Sequence, residues 1–318
     1  MTPYPLWSLR FWRAFWLTAR PYLFFVSGAS GLLGISLANA DAAPSALAFG
    51  ALFFSYGLGQ ALTDVFQVDT DALSSPYRPL VKGEITRSQV LGVSLLGLAV
   101  CGGVIGWLCP WTLAPSALAV AGLATYTFFK RRWWGGPPYN SWIVALLPLI
   151  GLVGAARSLD AARRPGVAWA MASTFFSYGI FVLIGYLKDV QADGKTGYRT
   201  LPVVFGRRRA VVCSAALFLV PTLCCSVMLL ARAGAHPAPI ASILWIAGAT
   251  LLATSHLLAW RVQTDDEAHP AVAWSVRGFV TLHLAEAALV RPSLLPIGVA
   301  MLALFEVALA SRPEKTQI

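Results

Sequence analysis

Several acids follow the second long apolar segment of the chain, in the stretch TDVFQVDTDALSSPYRPLVKGEI at residues 63–85. Asp64, Gln67 and Asp71 are spaced three and four residues apart. On a helix they share one face, and Asp69 lies off that face. Uncompensated carboxylates are costly beside a segment that enters a bilayer. The spacing therefore favours a built cluster of oxygen ligands over a solvated helix end.

A second acidic pair follows the sixth apolar segment. Asp189 and Asp193 are four residues apart, so on a helix they share a face and repel each other. A bound cation offsets such repulsion. Oxygen ligands without clustered His or Cys suit Mg²⁺, which commonly takes one or two carboxylates per ion plus phosphate oxygens. The two clusters contain enough carboxylates for two Mg²⁺ ions.

Basic side chains accompany both clusters. Arg78 and Lys82 follow the first cluster, and Lys130 ends the fourth apolar segment shortly after Tyr126. The second cluster has three basic neighbours in the sequence: Lys188, Lys195 and Arg199. Carboxylates interleaved with Arg and Lys are typical of a metal-bridged phosphate or diphosphate site. Solvated caps with basic residues that only orient the chain are the alternative, and two matching clusters argue against it.

The two acidic segments also resemble each other. In residues 64–80 the acids precede Tyr-Arg-Pro-Leu, and in residues 189–202 they precede Tyr-Arg-Thr-Leu-Pro, which begins at Tyr198. Internal repeats in membrane proteins tend to place a shared site at the repeat interface. We therefore expect the two acidic clusters to face each other across one cavity.

The composition indicates that a polytopic membrane protein positions these clusters. Of 318 residues, 57% are hydrophobic and 12% are charged, with a mean hydropathy of +0.67. A spanning helix needs about 20 mostly apolar residues. Nine segments are candidates: 21–38, 45–66, 88–108, 111–128, 139–156, 168–187, 209–231, 239–260 and 292–310. A tenth, 272–290, is ambiguous because it contains Arg277, His283 and Glu286, and 272–310 forms either a broken pair or one bent segment.

The distribution of charge predicts the orientation. Most of the 24 basic residues fall in connections on the side of the N-terminus, which the positive-inside rule places in the cytoplasm. Because the net charge of +10 is distributed in this way, it argues against nucleic acid as a partner. Residues 1–20 are predicted to form an amphipathic lead-in on the membrane surface, residues 21–310 the membrane domain, and residues 311–318 a tail.

Other polar groups carry weaker signals. The five cysteines are expected to pack as small apolar residues. His283 and Glu286 are three residues apart and are predicted to make a polar packing contact, with a proton-transfer pair as the alternative. The acidic run at 265–267 has no nearby basic cluster in the sequence and is predicted to be a solvated loop.

With these motifs the chain resembles the UbiA superfamily of intramembrane prenyltransferases over roughly residues 20–310. The resemblance rests on the first cluster with its Arg-Pro-Leu and Lys-Gly-Glu-Ile turn, and on KDVQADGKTGYRTLP at residues 188–202. The family pattern for the first motif is Asn-Asp-x-x-Asp-x-x-x-Asp, so Thr63 replaces the Asn and Gln67 the middle Asp, while Asp69 is an additional acid. Lys130 and Asn140 also match family positions.

The resemblance implies an all-α bundle of about nine transmembrane helices around a central cavity. Cytoplasmic loops would cap a Mg²⁺-bound isoprenyl diphosphate, and the cavity would open sideways to lipid. The implied metal site comprises Asp64, Gln67, Asp71, Asp189 and Asp193. The implied diphosphate site comprises Arg78, Lys82, Tyr126, Lys130, Asn140, Lys188, Tyr198 and Arg199. Thr63 and Asp69 are further candidates.

The implied activity is Mg²⁺-dependent ionisation of an isoprenyl diphosphate, followed by transfer of the prenyl group to a lipophilic, aromatic acceptor. The Thr63 and Gln67 departures favour an alternative, in which the enzyme is a terpene synthase that cyclises the same chain. A transporter that uses intramembrane acids is a third reading. It would carry acids near mid-span, whereas both clusters here lie at segment ends.

Overall fold

The computed structural model describes residues 2–235 and 237–312. Within those residues the chain is helical and contains no strand. The predicted tail at 311–318 falls mostly outside the described residues. The helices are α1 Leu9–Ala19, α2 Phe24–Ser36, α3 Ala42–Asp64, α4 Val68–Ser74, α5 Arg87–Leu108, α6 Leu113–Lys130, α7 Gly136–Ala156, α8 Val167–Gly185, α9 Val190–Lys195, α10 Leu201–Phe205, α11 Arg207–Leu217, α12 Leu223–Arg232, α13 Pro239–Arg261, α14 His269–Val290 and α15 Leu295–Ala310.

The helices confirm a multi-pass membrane protein, with nine spans as an approximate count. Eight helical segments of the described chain are long and apolar enough to cross a membrane. The first predicted span is a shorter apolar helix, Pro21–Ser36. The ambiguous segment forms α14, and a 3-10 turn at Pro292–Leu294 separates it from α15. Residues 272–310 are therefore a broken pair rather than one bent helix.

The polar residues of α14 are accommodated by neighbouring helices. Arg277 donates from Nε and Nη2 to the two carboxylate oxygens of Glu306 on α15, at 2.8 and 2.9 Å. Ser173 of α8 donates to Glu286 Oε1 at 2.9 Å. His283 is buried beside α8 and lies 3.9 Å from Glu286. These contacts agree with the predicted polar packing and explain how a polar segment joins the bundle.

Small residues allow the central helices to approach closely. All thirteen residues of α2 are buried. An added Cβ at Gly34 would lie 1.9 Å from the carbonyl oxygen of Pro148 on α7, so only glycine fits this crossing. Close approach through small residues is how membrane helices gain packing contacts. Together α2, α7, α8 and α14 form the most buried part of the bundle, against which the cavity is built.

An aromatic helix precedes the bundle. Ser8 caps α1 by accepting from the Phe11 amide at 3.1 Å. Phe11 and Phe15 are buried, whereas Trp12 and Trp16 are about half exposed. Tryptophan on the outer face of a helix suits the membrane–water interface. A surface location for this lead-in remains a prediction.

The connections 65–86, 131–135, 189–206 and 262–268 lie at one end of the bundle, here named the capped end. Asp265 belongs to this cap, and the predicted solvated loop is wrong for this residue. Its carboxylate accepts from the Gln191 amide at 2.9 Å and pairs with the guanidinium of Arg207. Arg207 also donates to the carbonyl of Leu187. This pairing could not be predicted from the sequence, because the two partners are 58 residues apart.

We expect Arg207→Ala to destabilise the cap by about 2 kcal/mol, because it leaves two acceptors without their charged donor. The side chains of Arg207 and Asp265 are only 14% and 19% exposed, so water replaces the lost contacts poorly. Thermal unfolding in detergent would measure the loss. The neighbouring Arg208→Ala is the control, because Arg208 is exposed and stacks over Trp260. Equal thermal unfolding midpoints for the two variants would contradict a stabilising role for the contacts of Arg207.

Candidate active site

One cavity connects the capped end with the interior of the bundle. Side chains from α3, α5, α6, α7 and α8 line it. At the capped end the lining is charged and polar, with Arg20, Gln60, Thr63, Asp64, Gln67, Asp71, Arg78, Lys130, Asn140, Lys188 and Asp189. Deeper in the bundle the lining is almost entirely apolar. Such a cavity suits an amphiphile with an anionic head and a hydrocarbon tail.

The two acidic segments meet at the capped end. Asp64 ends α3, Asp71 lies in α4, and Asp189 directly precedes α9. Thr70 and Thr196 join α4 to α9 through their hydroxyls at 3.0 Å. The two segments of the sequence repeat thus contact each other directly, and residues of both line the capped end of the cavity.

Arginines surround the first cluster. Arg20 Nη2 donates to Asp64 Oδ2 at 2.7 Å, and Gln60 Nε2 donates to Asp64 Oδ1 at 2.9 Å. Arg78 pairs with Asp71 and lies 3.8 Å from Asp64. Arg20 reaches this position from a left-handed turn with φ of 52°, which ends α1 and directs the chain into α2. All four charged groups are buried.

Lys130 links the two clusters. It ends α6, and its Nζ donates to Gln67 Oε1 at 3.0 Å while lying 3.4 Å from Asp193 Oδ1. Its ammonium also lies over the rings of Tyr198 and Tyr186, with centroid distances of 5.1 and 5.6 Å. Asp193 does not line the cavity itself and is buried behind this lysine. One cation therefore contacts both acidic segments.

Burial and charge set the pKa values of the acids in opposite directions. Burial raises the pKa of Asp71, assisted by Asp64 and opposed by Arg78. Burial also raises the pKa of Asp193 to about 6, although Lys130 opposes the shift. At Asp189 burial acts upwards too, but Lys188, Lys130 and Arg78 outweigh it and lower the pKa. The direction of each pKa shift thus depends on whether nearby positive side chains outweigh the effect of burial on that acid.

The donor set fits Mg²⁺ with diphosphate rather than a metal held by protein alone. No group of three or more His, Cys, Asp or Glu forms a ready metal site among the described residues. Mg²⁺ usually retains waters and takes only one or two carboxylates beside substrate phosphates. In the described part of the chain, the buried Asp193 Oδ1 and Arg78 Nε lack hydrogen bonds. Asp64, Gln67, Asp71 and Asp189 all line the cavity and supply the oxygen-bearing side chains of the charged end.

Tyrosines line the wall beyond the charged end. Tyr126 and Tyr186 share a hydrogen bond between their hydroxyls at 2.8 Å, and Tyr56 and Tyr178 share one at 2.6 Å. Asn140 donates to the Tyr178 hydroxyl at 3.4 Å. The hydroxyls thus bond in two pairs, and the four tyrosines contribute aromatic side chains to the cavity lining.

Five predicted site residues lie outside the cavity lining: Asp69, Lys82, Asp193, Tyr198 and Arg199. Lys82 and Arg199 are exposed, and the Arg199 amide donates to the Arg131 carbonyl at 3.1 Å. Asp69 is about half exposed and pairs with Arg131 at 3.1 Å, so it does not substitute for the acid missing at Gln67. Tyr198 is buried under Lys130 and Arg131. Lys82 and Arg199 thus lie outside the lining of this cavity, and their contact with a diphosphate stays a prediction.

Arg20 and Gln60 are site residues that the sequence did not reveal as such. No sequence spacing connects Arg20 with its partner Asp64, because the two are 44 residues apart. Gln60 lies four residues before Asp64 on α3, so its helical spacing was a usable signal. Thr63 also lines the cavity, and it donates to the carbonyl of Gln60, three residues earlier, at 2.9 Å.

The sequence matches the model of the UbiA prenyltransferase family over residues 23–282. The chain belongs to the UbiA prenyltransferase family. A digeranylgeranylglyceryl phosphate synthase of Natronomonas pharaonis is 31% identical over 64% of this chain and 73% of the relative. The bacteriochlorophyll synthase 33 kDa chain of Rhodobacter capsulatus is 30% identical over 47% of this chain and 51% of the relative.

Solved structures share the UbiA fold with this chain. A digeranylgeranylglyceryl phosphate synthase structure aligns with a TM-score of 0.63 at 17% identity, covering 88% of this chain and 98% of that one. A UbiA homolog from Archaeoglobus fulgidus, bound to DMAPP and Mg²⁺, aligns with a TM-score of 0.61 at 17% identity, covering 86% and 99%. At this identity the likeness establishes the fold.

Proposed function

We propose that this UbiA-family protein is a Mg²⁺-dependent prenyltransferase that ionises an isoprenyl diphosphate and transfers the prenyl group to a lipophilic acceptor. The observation that carries the proposal is the convergence of two acidic segments and their arginines and lysine on one end of a cavity whose other end is apolar. The relatives named as synthases and the homolog bound to DMAPP and Mg²⁺ support the same activity.

We assign the binding of the diphosphate and its metal ions to the charged end. Asp64, Gln67, Asp71 and Asp189 would hold Mg²⁺, which supplies Lewis-acid stabilisation of the diphosphate when bound. Asp193 supports the site from behind, because it holds Lys130. Arg78, Lys130 and Lys188 neutralise the negative charge that grows on the departing diphosphate. The cap excludes water, which would otherwise capture the intermediate.

The transfer itself is the breaking of one C–O bond and the formation of another bond at the same carbon. The electron pair of the broken bond leaves with the diphosphate, and the prenyl C1 becomes an allylic cation. We assign stabilisation of this cation to the rings of Tyr126 and Tyr186, which line the cavity within about one helical turn of Lys130 and Asp189. The acceptor's nucleophile then bonds to C1 and loses its proton.

The class of acceptor is proposed from the names of the relatives. The relatives include a synthase of a glycerophosphate lipid and a bacteriochlorophyll synthase. We propose an acceptor that enters from the bilayer and offers a hydroxyl group, with a prenylglyceryl phosphate as the first candidate. The aromatic acceptor predicted from the sequence is the second candidate.

Product analysis tests this function. Purified protein in detergent with Mg²⁺ would receive C10, C15 or C20 diphosphate, first alone and then with each acceptor class, and mass spectrometry would identify the products. We expect a prenylated acceptor and, without acceptor, intact donor or slow release of a linear alcohol. A cyclic hydrocarbon or cyclic alcohol formed from donor alone would instead identify a terpene synthase, the function that Gln67 and Thr63 favour.

We further propose that the capped end faces the cytoplasm, as the distribution of basic residues predicts. Lys82 is exposed on the cap and offers a labelling position. In Lys82→Cys, a membrane-impermeant maleimide should label inverted vesicles and leave intact cells unlabelled at this position. Labelling in intact cells would reverse the orientation.

A further inference from the structure

The apolar end of the cavity is a pocket lined by residues of two helices. It lies between α5 and α6, and we name it the deep pocket. Its lining residues are Leu98, Cys101, Gly102, Ile105, Ser116 and Ala119. Four of these six side chains are small, and the pocket is continuous with the charged end through the tyrosine-lined section. One ligand can therefore occupy both ends of the cavity at once.

Helix geometry gives the depth of this pocket. Ser116 lies fourteen residues before Lys130 on α6, which corresponds to about 21 Å along the helix. On α3, Leu52 lines the cavity twelve residues before Asp64, which corresponds to about 18 Å. The spacing on α6 thus places the deep lining about 20 Å from Lys130, and the spacing on α3 shows that the cavity extends to a similar depth from Asp64.

This depth matches a particular length of hydrocarbon. Each isoprene unit adds four bonds to the main chain, and at about 1.2 Å per bond, as in an extended backbone, it spans about 5 Å. Four units span about 19 Å and reach the deep pocket, whereas two units span about 10 Å and end near Leu123 of α6. Only the longer chain buries its last units against the deep lining.

Gly102 keeps the deep pocket open. A Cβ added at this position would meet no atom within 4 Å, so the space beside it is free of protein. The same is true of Gly103, but that residue is exposed on the outer side of α5 and does not line the cavity. The two glycines therefore differ mainly in which side of the helix a new side chain would occupy.

Resting on the proposed function, we propose that the prenyl tail of the donor lies in the deep pocket and that the preferred donor is a C20 diphosphate. The last two isoprene units pack against Cys101, Gly102 and Ala119, and a shorter donor leaves this apolar surface uncovered. Gly102 is the residue that admits the fourth unit.

The test compares Gly102→Phe with Gly103→Phe. The first variant places a ring in the deep pocket, and the second places the same ring on the outer surface. We expect Gly102→Phe to lower kcat/KM for the C20 donor at least about tenfold while leaving the C10 donor within about threefold, because only the long chain meets the ring. Gly103→Phe should retain the chain-length preference of the wild type.

Alkylation of Cys101 provides a readout that does not require turnover. A lipophilic maleimide would be applied to the wild-type protein with Mg²⁺ and either C20 or C10 diphosphate, and peptide mass spectrometry would quantify each cysteine. We expect C20 diphosphate to protect Cys101 and C10 diphosphate to leave it reactive. Cys213 is exposed and outside the cavity lining, so it serves as the internal reference.

The outcomes separate the two proposals. If no donor is turned over but the C20 compound protects Cys101, the proposed reaction is wrong and the tail assignment stands. If turnover occurs but Gly102→Phe leaves the preference unchanged, or C20 diphosphate fails to protect Cys101, the tail assignment is overturned. An equal loss for all chain lengths in Gly102→Phe would also overturn it, since a ring in the deep pocket should spare the short donor.

Discussion

Asp64→Asn should lower the turnover of isoprenyl diphosphate about a thousandfold, equivalent to about 4 kcal/mol of transition-state stabilisation. Asp64 ends α3 at the charged end of the cavity and is 3% exposed. The amide keeps the size of the side chain but removes the negative charge that would attract Mg²⁺. It also leaves Arg20, at 2.7 Å, without its counter-charge.

The matched control is Asp69→Asn, the same change five residues along the chain. Asp69 is about half exposed, pairs with Arg131 and does not line the cavity. We expect its turnover to stay within about twofold of the wild type, because an exposed pair contributes little. Thermal unfolding of both variants would check that they fold. Equal activity in the two folded variants would refute the assignment of Asp64 to the metal site.

Lys130→Met should lower the rate of diphosphate release by two to three orders of magnitude, the usual effect of removing one preorganised charged donor. Lys130 is the one side chain in the described structure that contacts both Gln67 and Asp193. Methionine preserves much of the length of the lysine side chain but removes its charge. The loss should therefore appear in a single-turnover measurement more strongly than in the thermal midpoint.

Lys82→Met removes the same charge from an exposed position on the cap. If proximity to the acids in the cavity matters, this variant should react at close to the wild-type rate. If net positive charge at this end attracts the donor, both variants should lose a similar factor, and that loss should shrink at high salt. The second pattern would contradict a specific role for Lys130.

The acidic clusters could be predicted because their evidence is local. Asp64, Gln67 and Asp71 are close in sequence, and all three line the cavity. The prediction of one shared helix face is wrong, because α3 ends at Asp64 and α4 begins at Val68. The repeat in residues 189–202 supplied the second wall of the cavity by the same local reasoning. Likewise, long apolar segments identify a membrane bundle without knowledge of how its helices pack.

The basic partners could be predicted only in part, because proximity in sequence does not fix the direction of a side chain. Lys82 and Arg199 follow the acids closely but are exposed on the cap. Arg20 contacts Asp64 across 44 residues, through a left-handed turn that no spacing rule indicates. Arg207 and Asp265 meet for similar reasons of tertiary packing. The depth of the cavity, too, emerges only when α3, α5 and α6 are placed together.

The central claim is that the charged end of the cavity ionises an isoprenyl diphosphate with Mg²⁺. The most direct measurement is diphosphate release from C20 diphosphate by purified protein with a lipophilic acceptor, in EDTA and after Mg²⁺ is restored. We predict release at background level in EDTA, recovery with Mg²⁺, and no recovery in Asp64→Asn. Release that persists in EDTA, or that Asp64→Asn supports as well as the wild type, would contradict the claim.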